Sequence, residues 1–112
     1  MKLVNRGFIL VKPKQPFLTW ANGLDDIIQF DDADEMEGNC YLIEDDFLEL
    51  EPVIERNFKS IFTHELLAVT DDESEWPTER KMENFNDWFH VEAGSIVVDL
   101  QKTNLISDDI FE

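Results

Sequence analysis

The sequence predicts one small domain of mixed α and β structure, α+β or α/β, with about three strands and helices in the order β-α-β-α-α-β. Three observations lead there. At 112 residues the chain has the size of one domain and can bury roughly two thirds of its unfolded surface without staples. A hydrophobic fraction of 43%, with nine phenylalanines and three tryptophans, argues for a packed core in spite of a formal net charge of -17. Strand-like and helix-like periodicities also alternate along the chain, with no internal repeat and no Gly/Ser linker.

Gly7–Val11 (GFILV) is apolar at every position after the glycine, the pattern of a central strand covered on both faces. Pro13 ends it, and a short helix from about Pro16 to Leu24 follows, with Phe17, Trp20 and Leu24 at helical spacing. Residues 25–38 read as an acidic loop, and Asn39–Glu44 (NCYLIE) as a second strand. The longest helix begins at Pro52 and runs to about Val69, with Ile54, Phe58, Ile61, Phe62 and Leu66 on one stripe and Glu55 paired with Lys59 on the wet side. The third helix opens at Pro77 and Thr78 and places Met82, Phe85, Trp88 and Phe89 on one face, with Trp88 as a core anchor. Ser95–Leu100 (SIVVDL) closes the domain as a β-branched strand. If consecutive strands are parallel, the first crossover is right-handed. Residues 1–100 form the globular domain on this reading, and residues 101–112 a tail, either one helical turn after Ser107 or a contact arm.

With these elements in view the chain resembles a group of small acidic bacterial proteins. The resemblance rests on Glu65 and Leu66 late in the long helix, Asp72, Trp76 and Pro77, Trp88 and Phe89, and the closing Asp99 and Leu100. It implies a single domain of bacterial origin and brings no catalytic or ligand residues with it.

The charge is distributed unevenly. The first 24 residues carry four basic side chains and no acidic one, whereas Asp25–Glu51 carries twelve acidic residues and no Lys or Arg. A net charge of this size opposes binding to nucleic acid or to anionic lipid and favours a basic protein or a cation as partner. The single cysteine, Cys40, suits a reducing compartment, and the apolar run Phe8–Val11 is too short for a signal peptide or a membrane span, so the expected location is the cytoplasm.

No motif points to catalysis, a metal or a cofactor. Aligning Gly38 with the glycine of a calcium loop puts Glu35, Glu37 and Glu44 at ligand positions, but Ala33 falls at the first, so the loop reads as a solvated acidic segment. Cys40, in an apolar strand, reads as a buried inert thiol; His64 and His90 read as helix-end residues; the four glycines are isolated and form no phosphate loop. The candidate binding residues are therefore acidic. Glu75, Glu79, Glu83 and Asp87 follow one another at four-residue spacing, a ridge of like charge if one helix covers them, and one that costs on the order of a few tenths of a kcal/mol per pair. Asp31, Asp32, Asp34 and Glu35 in the acidic loop make a second candidate surface. The expected function is that of a non-enzymatic module docking a basic protein, as an inhibitor, immunity-type protein or adaptor does. The alternatives are a cation- or small-molecule-binding protein using residues 25–37, and a structural domain that self-associates through its tail or a sheet edge.

Overall fold

The computed structural model describes residues 1–24, 32–33 and 36–110. In chain order the elements are β1 (Lys2–Val4), β2 (Gly7–Pro13), α1 (Gln15–Leu24), β3 (Asn39–Ile43), α2 (Leu50–Leu67), α3 (Met82–Trp88), β4 (Phe89–Gly94) and β5 (Val97–Asp99), with a 3-10 turn at Glu73–Glu75. The fold is a small mixed α+β domain with three helices and five strands in two sheets among the described residues, not three strands in one. No helix among the described residues is long and apolar enough to cross a membrane.

The apolar run at Gly7–Val11 makes β2 the middle of a three-stranded sheet in the order β3-β2-β4. Both pairings are antiparallel, so the right-handed crossover expected if consecutive strands were parallel does not arise; β4 follows α3 without a loop and runs back along β2 from Phe89↔Pro13 to Gly94↔Phe8. The two strands then continue past the sheet as a ribbon, β1 against β5, with Val4 opposite Val97 and Lys2 opposite Asp99. Between these registers Asn5, Arg6 and Gly7 face only Ser95 and Ile96, so the first strand carries one extra residue and its alternation changes sides. Gly7 sits at that step because a Cβ there would lie 2.8 Å from the Gly94 carbonyl and 2.9 Å from that of Glu44.

The helices pack on the sheet face carrying Ile9, Val11 and Ile43. The α2 stripe is buried as its spacing predicts, from Ile54 through Phe58, Ile61 and Phe62 to Leu66. Seven aromatic rings knit the layers: Phe17 and Trp20 of α1, Phe58 and Phe62 of α2, Phe85 and Trp88 of α3, and Phe89 of β4, with centroids 5.2–6.1 Å apart in tilted or edge-on contact. Phe85 and Phe89 are fully buried, while Trp88, expected to be the anchor, is half-buried at the margin against Phe17, Trp20 and Phe62.

The third helix starts at Met82, not at Pro77. Upstream of it the chain is held in other ways: Asp72 Oδ1 accepts from the Ser74 amide at 3.0 Å, closing the 3-10 turn, and the buried Trp76 donates its indole N–H to the Thr70 carbonyl at 3.0 Å. The Asn84 Oδ1 then accepts the Lys81 amide at 3.1 Å and sets the helix start. Cys40 is exposed rather than buried, since it sits opposite Leu10 on the sheet face turned away from the helices. Glu55 and Lys59 form no ion pair; the neighbouring Arg56 reaches the Glu44 carboxylate at 2.8 Å instead. Residues 101–110 contain no helix or strand and are exposed throughout.

Candidate functional site

Three arrangements stand out among the described residues, and the first is a buried polar cluster. Glu65 occupies the inner face of α2, four residues after Ile61, and is the one buried carboxylate of the described chain. Burial of a carboxylate requires donors, and β3 supplies them: Asn39 Nδ2 donates to Glu65 Oε1 at 3.0 Å and the Tyr41 hydroxyl at 2.7 Å. His64 Nδ1 lies 2.7 Å from the same hydroxyl. Because the hydroxyl proton is given to Glu65, that contact requires His64 Nδ1 to carry the hydrogen and donate it to the Tyr41 oxygen. Burial, together with the hydrogen bond and negative charge of Glu65, pushes the Tyr41 phenol far above its ordinary value, so it stays a neutral donor. The cluster ties the edge strand β3 to α2 with every buried side-chain polar atom satisfied.

The second arrangement is a groove of about 800 Å³ between α2 and residues 78–82, floored by Phe58, Phe62 and Met82 and rimmed by Lys59, Arg80 and Lys81 together with Glu55 and Glu79. The Arg80 guanidinium lies 5.6 Å from the Trp76 ring centroid and donates to the Pro77 carbonyl at 2.6 Å.

The third is the acidic surface itself. Of the described Asp and Glu side chains, all are exposed except the buried Glu65 and the half-buried Asp99. Lys2 pairs with Asp99 at 3.9 Å and Arg56 with Glu44 at 2.8 Å. The Arg56 guanidinium holds the Glu44 carboxyl below its ordinary range, and hydrogen bonds from Ser74 do the same for Asp72.

The four-residue ridge is divided by the late start of α3. Only Glu83 and Asp87 share that helix, on its exposed side; Glu75 lies in the 3-10 turn, where its carboxylate accepts from the Thr70 hydroxyl at 3.2 Å and its carbonyl from the Trp20 indole at 2.8 Å. Glu79 stands among the cations of the groove. Of the loop residues, Asp32 is exposed beside Lys12, Lys14 and His90, and Asp31, Asp34 and Glu35 lie outside the described residues, as does most of the proposed cation-binding segment. No group of three or more His, Cys, Asp and Glu side chains among the described residues is placed to hold a metal ion.

Sequence reasoning missed the Asn39–Tyr41–His64–Glu65 cluster and the basic groove. A signal for the first existed: Glu65 interrupts an apolar stripe, and a charged residue at a core position needs a partner. Comparison with family models, with curated proteins and with solved structures finds no match for this chain, so its own residues carry the functional reading.

Proposed function

We propose that the protein is a non-enzymatic interaction module that docks a basic protein partner through its acidic surface, in the manner of an inhibitor, immunity-type protein or adaptor. The observation that carries this reading is the exposure of nearly all the described carboxylates, in a chain of 26 Asp and Glu against nine Lys and Arg. A surface of one sign raises the encounter rate with a partner of the opposite sign and suppresses wrong partners, and the effect falls steeply with ionic strength. The turn at Asp71–Glu75 and the outer side of α3, with Glu83 and Asp87, form one candidate face; the loop from Glu44 to Glu51 leading into α2 forms another. The buried cluster supports the reading by taking Glu65 and Tyr41 into a structural role, each with its hydrogen-bond partners already in place.

The test is capture of partners from cell extract with the immobilised full chain, wild type and Glu83→Lys/Asp87→Lys, at about 50 and about 300 mM NaCl. Docking through α3 predicts a basic protein held by the wild type at low salt, released at high salt and not held by the variant. Capture by the variant at low salt assigns the docking to the other acidic face. A partner held equally at both salt concentrations contradicts the reading. The ribbon formed by β1 and β5 favours a second, independent property.

A further inference from the structure

Eight of the eleven large hydrophobic side chains exposed among the described residues lie in the β1–β5 ribbon and the segment running on from it. Leu3 and Val98 meet on one side of the paired strands, and Met1, Ile96 and Leu100 flank the strand ends at the same parity. Lys2 and Asp99 face each other on the reverse side.

The one-residue step at Asn5–Gly7 connects this face to the rest of the sheet. Beyond it the middle residue of each short strand, Leu3 and Val98, is the exposed one, while Lys2, Val4, Val97 and Asp99 are half-buried. On the back of the three-stranded sheet the register places Phe8 opposite both Gly94 and Leu42. There the Phe8 ring lies on Gly94, whose absent Cβ would come within 2.6 Å of it, and Leu42 is 51% exposed.

We propose that this face is the interface of a two-fold homodimer, in which the ribbon of one copy stacks on the ribbon of a second. Two arguments name the occupant. The first is area: five side chains, 42 to 95% exposed, offer on the order of 100 Å² each, so a self-complementary contact covers about 1,000 Å² in total, the threshold for a specific interface. The second is charge. Residues 1–6 and 95–106 hold Lys2, Arg6 and Lys102 against Asp99 alone, while the remainder of the chain holds six basic and 25 acidic residues. Two copies of a strongly acidic chain meet with least repulsion where neither is acidic. A two-stranded ribbon is also marginal by itself and gains a core when a second ribbon covers it about 10 Å away.

The experiment is sedimentation equilibrium of the full chain at 10–200 µM in 150 mM NaCl. The proposal requires a concentration-dependent rise to one species of twice the chain mass, which tightens as salt is added. The opposite salt dependence belongs to docking of a basic partner, so the two readings fail separately. Leu3→Lys/Val98→Glu replaces the apolar cross-strand pair by an oppositely charged one, which keeps the ribbon paired while removing its stickiness; it is expected to be monomeric with an unchanged circular dichroism spectrum. Glu83→Lys/Asp87→Lys is expected to dimerise as the wild type does. A wild type that stays monomeric at 200 µM, a mass that keeps growing with concentration, or a Leu3→Lys/Val98→Glu variant that dimerises normally would each overturn the proposal.

Discussion

Tyr41 is the single tyrosine of the chain, which makes its environment directly observable. Its phenol is pushed above the ordinary value by burial and by Glu65, so the folded state keeps a proton that the unfolded chain releases near pH 10. Above that pH the native state binds more protons than the unfolded one, and stability falls as pH rises; below it the contribution is fully present. The tyrosinate absorbance of the native protein should therefore show no step near pH 10 and should rise only with unfolding at higher pH, while the chain in urea titrates normally. A gradual native titration centred at 10 would show that the hydroxyl is not held by Glu65. Tyr41→Phe, which withdraws a donor from a buried carboxylate, is expected to cost about 1–3 kcal/mol in urea unfolding. Aromatic truncations should rank by burial: Phe85→Ala loses about 3–5 kcal/mol and Trp88→Ala measurably less, since Trp88 sits at the margin of the core. Equal losses for the two would contradict that placement. The apolar periodicity of α3 named its buried face but could not grade its members, because the depth of each ring depends on α1, which contributes Phe17 and Trp20 from 60 and more residues away.

At the scale of elements, β2, α1, β3 and α2 were legible because each carries a pattern of its own: a run of consecutive apolar residues, a proline near the start, or a stripe of one period. β4 was not legible, since Phe89–Gly94 (FHVEAG) follows the helix with no turn residue between and its exposed His90 reads as a helix end. β1 is three residues long and exists through its pairing with β5, a long-range partnership that no local pattern announces. The start of α3 depends on Asn84, whose side chain reaches back to Lys81 and competes with Pro77 as the opening signal. This shortening changes the electrostatics of the ridge. Glu83 lies in the first turn, where the helix dipole favours it, and Asp87 in the last, where the dipole does not. Asp87→Lys should raise the melting temperature slightly and Glu83→Lys should lower it, each by a few tenths of a kcal/mol at low salt; shifts of the same sign would mean that α3 does not set them. Gly7→Ala tests the bulge. The added methyl meets two backbone carbonyls that cannot swing aside, and a loss of about 1–3 kcal/mol is expected in thermal or urea unfolding, against none if the step is loosely held.

On the scale of the whole molecule, 26 carboxylates stand against nine Lys and Arg, and nearly all of the described ones face water. Folding crowds this charge, so added NaCl should raise the melting temperature between about 20 and 300 mM before any specific ion effect enters. Composition already showed this acidity, but which part escapes it emerged only when pairing brought the first strand, with Lys2, against β5, whose one charge is Asp99. The candidate site was legible as a sign of charge and not as a shape, because the spacing of Glu75, Glu79, Glu83 and Asp87 has meaning only on a continuous helix. The central claim, that this exposed charge steers a basic partner onto the protein, is tested most directly by the rate of association with a captured partner, measured for the full chain between 50 and 300 mM NaCl. Steering by charge requires an association rate that falls at least about tenfold over that range while dissociation changes little. An association rate independent of salt would contradict it.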